Sequence, residues 1–180
     1  MTEVTHRRTD ARRNHERVVA AARELFARAG LRVTVPEVAA HAGVGRATVY
    51  RSYPTKDDLV LAIAQESFAD LASWTRSAVD SDMPLSAYVP DLFARLAGDH
   101  GLAEAFLEGR LVPATDLLTL IGELTARAKA TGEVRGDLTT VDLRVILCGP
   151  ARQLIALDEW NPAAWRRYAA MVVTALRHPR

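Results

Sequence analysis

The fold is decided by residues 34–59, TVPEVAAHAGVGRATVYRSYPTKDDL. Thr34 and Glu37 have the Thr-x-x-Glu spacing of a capping box, in which the hydroxyl accepts from a first-turn amide and the carboxylate reaches back to the cap. This spacing predicts a helix from about Val35. Gly43 ends that helix, because glycine readily adopts the left-handed conformation that a tight turn requires. With a second short helix predicted over residues 45–52, the stretch indicates a helix-turn-helix.

The second helix of this motif has an outer face suited to nucleic acid. Its periodicity places Val49 inward and leaves five residues outward: Arg46, Ala47, Thr48, Tyr50 and Arg51. Arginine binds guanine or phosphate bidentately, small methyl groups contact thymine methyls, and hydroxyls reach phosphates or base edges. The alternative is an ordinary corner between two helices with a solvated polar face.

A third helix begins directly after the motif. Pro54 stops the second helix, and Thr55 caps the next one with Asp58 three residues further on. Lys56 falls in the first turn, where the helix dipole disfavours a cation by roughly 0.3–1 kcal/mol. An external anion, such as a DNA phosphate, would remove this conflict.

The run Thr48-Val49-Tyr50-Arg51-x-Tyr53-Pro54-Thr55-Lys56-x-x-Leu59 resembles the signature of the DNA-binding domain of TetR-family transcriptional regulators. The resemblance covers about residues 14–59. It implies that three residues face base edges or the groove wall: Arg46, Ala47 and Tyr50. It implies phosphate contacts for four others: Thr34, Thr48, Tyr53 and Lys56. Gly45, Ser52 and Tyr53 stand where serine, histidine and phenylalanine are more frequent in the family.

Charge is divided unevenly along the chain, although the formal net charge is only +1. Residues 1–56 carry 11 Lys and Arg against 5 Asp and Glu, and the remaining residues carry 12 against 17. This division is typical of a DNA-binding module joined to a second domain. We expect a flexible basic arm over 1–13, a DNA-binding domain over 14–57 and a second domain over 58–180. The arm either reaches the minor groove or the DNA backbone, or has no role.

Helical periodicity continues through the rest of the chain. Residues 14–30 predict a first helix, and residues 56–79 predict a long amphipathic helix that links the two domains. Five further helices, separated by proline, glycine or polar breaks, are expected at 85–97, 102–111, 115–130, 139–157 and 162–177. The expected fold is therefore all-α with about nine helices, a three-helix DNA-binding domain followed by a helical bundle.

The resemblance implies that the C-terminal bundle dimerises and often encloses a small-molecule pocket. Such pockets need apolar and aromatic walls with a few polar groups, and the candidates are Trp74, Phe93, His100, Phe106, Leu118, Cys148 and Arg152. Each of them alone fits a core position at least as well. His100 fits a solvent-exposed turn, and Cys148, before Gly149-Pro150, fits buried packing rather than redox sensing.

The last helix carries an apolar face wider than one small helix needs to bury. Its members lie at i, i+3, i+7 and i+11: Trp165, Tyr168, Val172 and Leu176. In the TetR family the last two helices form the four-helix bundle of the dimer, so this face is the predicted dimer interface. The alternative is an intramolecular core helix. Two copies would read the two half-sites of a palindrome.

These features predict a ligand-responsive transcriptional regulator. The leading hypothesis is a homodimeric repressor that binds a palindromic operator in double-stranded DNA and is released by a small-molecule effector. The alternative is a DNA-binding helical dimer that is controlled by a protein partner or acts as an activator, with no small-molecule effector.

An enzyme is not expected, and neither is a cofactor or a metal ion. The sequence has no metal-spaced His/Cys cluster, no glycine-rich phosphate loop and no recognisable catalytic triad. No apolar run approaches the roughly 18 residues of a membrane span, and no signal peptide is evident. One cysteine cannot form an internal disulfide. We therefore expect a cytoplasmic protein without membrane contact.

Overall fold

The computed structural model describes residues 2–108 and 115–177, and over these ranges it is all-α. The described residues form nine α-helices, which in chain order are α1 Thr2–Ala29, α2 Val35–Ala42, α3 Arg46–Ser52, α4 Lys56–Asp80, α5 Leu85–Gly98, α6 His100–Glu108, α7 Thr115–Ala130, α8 Thr140–Ala156 and α9 Pro162–Leu176. None of these helices is both long enough and apolar enough to cross a membrane. The predicted fold class is confirmed.

The helix-turn-helix of α2 and α3 forms as its end signals predict. The Thr34 hydroxyl accepts from the Glu37 amide at 3.4 Å, and the Glu37 carboxylate accepts from the Thr34 amide at 2.7 Å. Gly43 ends α2 in the left-handed region with φ +63°. Thr55 and Asp58 form a second capping box at the start of α4. Local contacts thus set each helix end of the motif.

The first three helices and the beginning of α4 enclose a core of mostly small apolar side chains. Its buried members are Val18, Ala21, Ala22, Phe26, Val33, Val35, Val38, Ala39, Ala42, Val49, Tyr53, Leu59, Val60 and Ile63. Val49 is the buried residue of the short α3. The remaining surface of α3 is therefore left for other contacts.

The first helix begins earlier than predicted. Its backbone is helical from Thr2, so residues 2–13, predicted as a flexible arm, continue α1. The segment TEVTHRRTDARR contains neither proline nor glycine, and a helix anchored further along can extend through it without interruption. Among the described side chains of α1, Val18 is the first that is buried. The composition of this segment is therefore compatible with the extension.

Helix α4 belongs to both halves of the molecule. Its residues Leu59, Val60 and Ile63 pack in the N-terminal core, whereas Leu71 and Ala78 pack in a second core. The second core is formed with α5, α7, α8 and α9, and α5 packs closely along α9. The domain boundary predicted at residues 57 and 58 falls inside this shared helix.

The α9 face predicted as a dimer interface is largely internal. Trp165, Val172 and Leu176 are at most 2% exposed and pack in the second core. Tyr168 differs from them, since it is 37% exposed. An apolar stripe has the same period whether its partner is α5 of the same chain or another molecule. The prediction was therefore wrong for the three buried residues, and the intramolecular alternative holds.

Candidate nucleic-acid interface and ligand cavity

Helix α3 presents its predicted outer face to solvent. Thr48 is half-buried, and the exposed residues are Arg46, Ala47, Tyr50 and Arg51. The Arg17 guanidinium of α1 donates to the Gly43 carbonyl at 3.2 Å and so ties the turn to the first helix. Sequence reasoning missed Arg17 because it lies 26 positions from its partner. With Val49 fixed in the core, the exposed side chains stand on a firmly held element, as a base-reading helix requires.

Tyr53, predicted as a phosphate contact, has a buried ring. The residue is 7% exposed, and its ring stacks on His15 with 5.8 Å between centroids. Its hydroxyl lies 3.5 Å from His15 Nδ1. Burial raises the pKa of the Tyr53 phenol, which therefore stays protonated. The ring packs the end of α3 against α1.

Thr34 and Lys56, the other predicted phosphate contacts at helix starts, already have partners within the chain. The Thr34 hydroxyl donates to the Glu37 carboxylate at 2.7 Å, and this bond lowers the pKa of Glu37. The Lys56 ammonium donates to the Leu31 carbonyl. That oxygen partly offsets the unfavourable position of a cation at a helix N-terminus. A phosphate at this site would compete with the carbonyl for Lys56.

The Leu31 peptide also connects the two halves of the molecule. Its N–H donates to the Glu104 carboxylate of α6 at 2.6 Å, while its carbonyl accepts from Lys56. Gly30 precedes it with φ +63°, and a Cβ there would meet the Glu104 carboxylate. Any other residue would be strained at this φ, and its Cβ would force the Glu104 carboxylate to shift. One peptide is therefore held both by the bundle and by the first turn of α4.

A cavity of about 560 Å³ lies between α5, α7 and α8. Three of the predicted pocket residues line it: Phe93, Leu118 and Cys148. Three others are not among its lining residues: Trp74, His100 and Arg152. Phe106 was also predicted as a pocket residue, but its side chain is outside those that the structure describes. The cavity walls come from helices whose arrangement the sequence pattern does not give, which is why half of the described candidates do not line the cavity.

Trp74 is a packing residue beside the cavity. It stacks on Tyr88 with 4.8 Å between ring centroids, and the Arg95 guanidinium carbon lies 4.2 Å from the centroid of a Trp74 ring. The Tyr88 hydroxyl lies 3.0 Å from the Thr75 hydroxyl, and burial raises the pKa of Tyr88 to about 12. Trp74 is thus a half-buried packing residue that does not line the cavity.

His100 is half-buried and is not the exposed turn residue that its neighbouring glycine suggested. It begins α6 and stacks on Trp160 with 3.5 Å between ring centroids. Its Nδ1 atom is buried and has no hydrogen-bond partner in the described part of the chain. Burial lowers the pKa of His100. The ring is therefore held mainly in its neutral form near neutral pH.

An aromatic column runs from the cavity wall to the start of α6. Phe93 meets Trp165 edge to face at 6.0 Å, Trp165 stacks on Trp160 at 5.7 Å, and Trp160 stacks on His100. The Trp165 indole N–H donates to the Glu159 carbonyl at 2.7 Å and fixes the middle of the column. A change at Phe93 thus has a packed route to the helix that carries Glu104.

The cavity carries positive charge at its edge. Lys129 and Arg144 line it, and none of the described lining residues is Asp or Glu. Burial raises the pKa of the Cys148 thiol, which is therefore neutral near pH 7. Sequence reasoning missed both cations, since each looks like a solvated helix residue in the sequence alone.

Helices α8 and α9 also present apolar side chains to solvent. Val141 is 69% and Val145 is 64% exposed on α8, and Met171 is 47% exposed on α9. Tyr168 lies on the exposed side of α9 as well. We call Val141, Val145, Tyr168 and Met171 the α8–α9 face. Exposed apolar groups of this kind often mark an interface.

Residues 18–63 match the family model for bacterial regulatory proteins of the tetR family. The TetR transcription regulatory protein from Mycobacterium vanbaalenii is 30% identical, and the match covers 95% of this chain and 99% of that one with a TM-score of 0.57. No curated protein matches the chain.

Two regulators named FadR share the fold at lower identity. FadR from Bacillus halodurans is 20% identical over 91% of this chain and 100% of its own, with a TM-score of 0.62. FadR from Bacillus subtilis, solved in complex with stearoyl-CoA, is 17% identical over 91% of this chain and 100% of its own, with a TM-score of 0.63.

Proposed function

The chain belongs to the TetR family of bacterial transcriptional regulators, and from this premise we propose that it is a homodimeric repressor released from a palindromic operator by a small-molecule effector. The observation that carries the proposal is that one chain holds both an exposed basic helix, α3, and an apolar cavity in its bundle. Acting on genomic DNA, the protein would work in the cytoplasm. Like its family, it would be a DNA-binding protein and not an enzyme.

We assign base reading to Arg46, Ala47 and Tyr50 on α3. Arg46→Ala and Tyr50→Ala should each weaken operator binding about 5- to 150-fold, because one good base contact contributes about 1–3 kcal/mol. Fluorescence anisotropy with DNA fragments flanking the gene measures the effect. Arg166→Ala, an exposed arginine of α9, is the matched control. Unchanged specific binding in both variants would sink this assignment.

Phosphate binding is assigned to Thr34, Thr48, Tyr53 and Lys56. Lys56→Gln should weaken binding to all DNA sequences alike and reduce the slope of affinity against salt by about one unit. The same anisotropy titrations at several salt concentrations give this slope. A loss confined to one operator sequence would instead make Lys56 a base-reading residue.

We assign the dimer contact to the α8–α9 face, in place of the buried stripe of α9. Two copies joined there would present two α3 helices to successive half-sites. The double variant Val145→Glu and Met171→Glu should be monomeric by sedimentation and should lose strong operator binding. Leu61→Glu is the control, since Leu61 is an exposed apolar residue on α4 outside this face. A double variant that stays dimeric contradicts the assignment.

The effector is proposed to release DNA through the aromatic column and the Leu31 peptide. A ligand against Phe93 would favour one packing of Trp165, Trp160 and His100 at the start of α6. Glu104, on the same helix, would then alter its hydrogen bond to the Leu31 N–H. This change would in turn alter the bond between the Leu31 carbonyl and Lys56. Such a ligand acts only by binding one arrangement better than the other. The stearoyl-CoA in the Bacillus subtilis FadR structure supports a small-molecule effector.

Coupling between the two halves can be tested without knowing the effector. Because coupling is reciprocal, operator binding should change the fluorescence of the stacked Trp160 and Trp165. Glu104→Gln should retain operator binding and lose most of this change. Glu123→Gln, on the exposed side of α7, should behave as the unsubstituted protein. An unaltered fluorescence change in Glu104→Gln would rule out this route.

The sign of regulation needs a transcription assay. A reporter placed behind the operator should be transcribed less when the protein is added, because an occupied operator excludes polymerase. Increased transcription would make the protein an activator.

A further inference from the structure

We propose that the cavity between α5, α7 and α8 binds a free carboxylic acid with an apolar body, and that Arg144 pairs with its carboxylate. The inference rests on the proposed function, since it names the chemical class of the effector. It depends on the apolar walls, on the unneutralised guanidinium and on the lack of acidic groups among the described lining residues.

The cavity walls are apolar on all three helices. Leu92 and Leu96 line it from α5, Ile121 from α7 and Leu147 from α8, and all four are buried in the second core. The volume of about 560 Å³ falls within the roughly 300–1,000 Å³ of small-molecule sites. An alkyl or aryl body would leave water favourably here, whereas a sugar or another strongly polar body would leave hydroxyls unpaired.

Arg144 is the cation available to a ligand. Within the described residues its guanidinium makes neither a hydrogen bond nor an ion pair. Lys129, the other cation of the lining, donates to the Leu138 carbonyl. Guanidinium and carboxylate form two parallel hydrogen bonds in a planar pair, which makes Arg144 the better partner for a carboxylate.

The acidic groups nearest along the chain are already bonded elsewhere. Asp142 accepts from the Thr139 amide at 2.8 Å and from its hydroxyl at 2.6 Å, which caps α8. Asp137 forms an ion pair with Arg135 at 2.5 Å. Neither carboxylate is hydrogen-bonded to Arg144, so the charge at this side of the cavity favours an anion and disfavours a cation.

Calorimetry on the full chain without DNA tests the chemical class. The probes are decanoate, methyl decanoate, decyltrimethylammonium and decanoyl-CoA, each kept below its micelle concentration. Decanoate should bind at least about fivefold more tightly than the ester or the cation, as expected for one partly exposed ion pair. Equal binding of the ester or the cation, or no binding of any probe, overturns the inference. Tighter binding of decanoyl-CoA than of decanoate would overturn the inference of a free acid and make the ligand a CoA thioester.

Variants test the role of Arg144. Arg144→Gln should weaken decanoate about fivefold and leave methyl decanoate unchanged, since only the acid has a charge to pair. Arg152→Gln, on the same helix outside the cavity lining, should leave both affinities unchanged. Arg144 is exposed, so thermal unfolding without ligand should match that of the unsubstituted protein. Equal weakening of both probes would overturn the pairing role.

A parallel titration on the operator complex separates this inference from the proposed function. Decanoate that binds without releasing DNA would overturn the release mechanism while supporting the ligand class. DNA release by the neutral ester alone would overturn the ligand class while supporting the release mechanism.

Discussion

The sequence specifies the two halves of this chain in different ways. The reading half contains α1 to α3 and the start of α4, and the cavity half contains the rest of α4 and α5 to α9. In the first, Thr34, Gly43 and Thr55 each set a helix end through contacts a few residues away. In the second, the cavity depends on pairs distant in sequence, such as Phe93 with Trp165. A DNA-reading element can therefore be fixed by local signals, whereas a ligand cavity forms only when the whole bundle closes.

The strongest test of this contrast removes Trp165, the largest fully buried side chain among the described residues. Trp165→Ala should lower the free energy of unfolding by about 3–5 kcal/mol, because it leaves a cavity in the second core and removes a hydrogen bond. Urea unfolding followed by circular dichroism measures the change. The neighbouring exposed variant Arg166→Ala should stay within about 0.5 kcal/mol. Equal effects of the two variants would contradict the central role of the aromatic column.

A smaller loss of unfolding free energy is expected at Gly30, where the two halves of the molecule meet. Gly30→Ala should cost about 1–3 kcal/mol, because alanine is strained at a positive φ. Its Cβ would also press on the Glu104 carboxylate. The same unfolding assay measures the loss, and operator-dependent tryptophan fluorescence should weaken with it. Gly98→Ala is the matched control, since a Cβ there meets nothing within 4 Å. An unchanged unfolding free energy in Gly30→Ala would contradict the expected strain and show that the backbone around residue 30 accommodates a Cβ.

Equivalent caps in the two halves sharpen the comparison further. Thr55 and Thr139 each form a capping box with an aspartate three residues on. Thr55→Ala and Thr139→Ala should each cost about 1 kcal/mol of unfolding free energy. Operator affinity should fall only for Thr55→Ala, because that box starts the helix carrying Lys56. Loss of DNA binding in Thr139→Ala would show that the reading half depends on the bundle.

The smallest expected effect is on pH dependence. Burial lowers the pKa of His100 below 6.5, so the unfolded chain takes up this proton before the folded one. The unfolding free energy should fall as pH drops from 6.5 towards the folded pKa, and this contribution should be constant above that range. Charges that also act on the ring are those of Glu104, Arg32, Asp158 and Asp99. His100→Phe should flatten the curve, measured by urea unfolding between about pH 5 and 8. An unchanged curve would assign the slope to other groups.

The sequence was sufficient for helices whose ends are marked locally. The caps at Thr34 and Thr55 and the turn at Gly43 were all predicted, and the structure confirms them. The sequence was insufficient where the burial of a face depends on which helix packs against it. The stripe through Trp165 and Val172 has helical period, but packing against α5 and α8 turns it inward.

The cavity shows the same limit. Leu118 and Cys148 were predicted as pocket residues and line the cavity. His100 was predicted with them, but it does not line the cavity and stacks on Trp160, 60 positions away in the numbering. Arg144 gave no signal, since its significance depends on which carboxylates are already bonded. Charge compensation is a property of the folded arrangement and cannot be read from spacing.

The shared helix α4 has a practical consequence for building hybrid regulators. Leu59, Val60 and Ile63 complete the core beneath α3, whereas the second core begins at Leu71. A chimaera spliced at residue 57 would leave the transplanted reading unit without those three side chains. The splice belongs between Ile63 and Leu71, with helical phase preserved, so that each parent keeps a complete hydrophobic core.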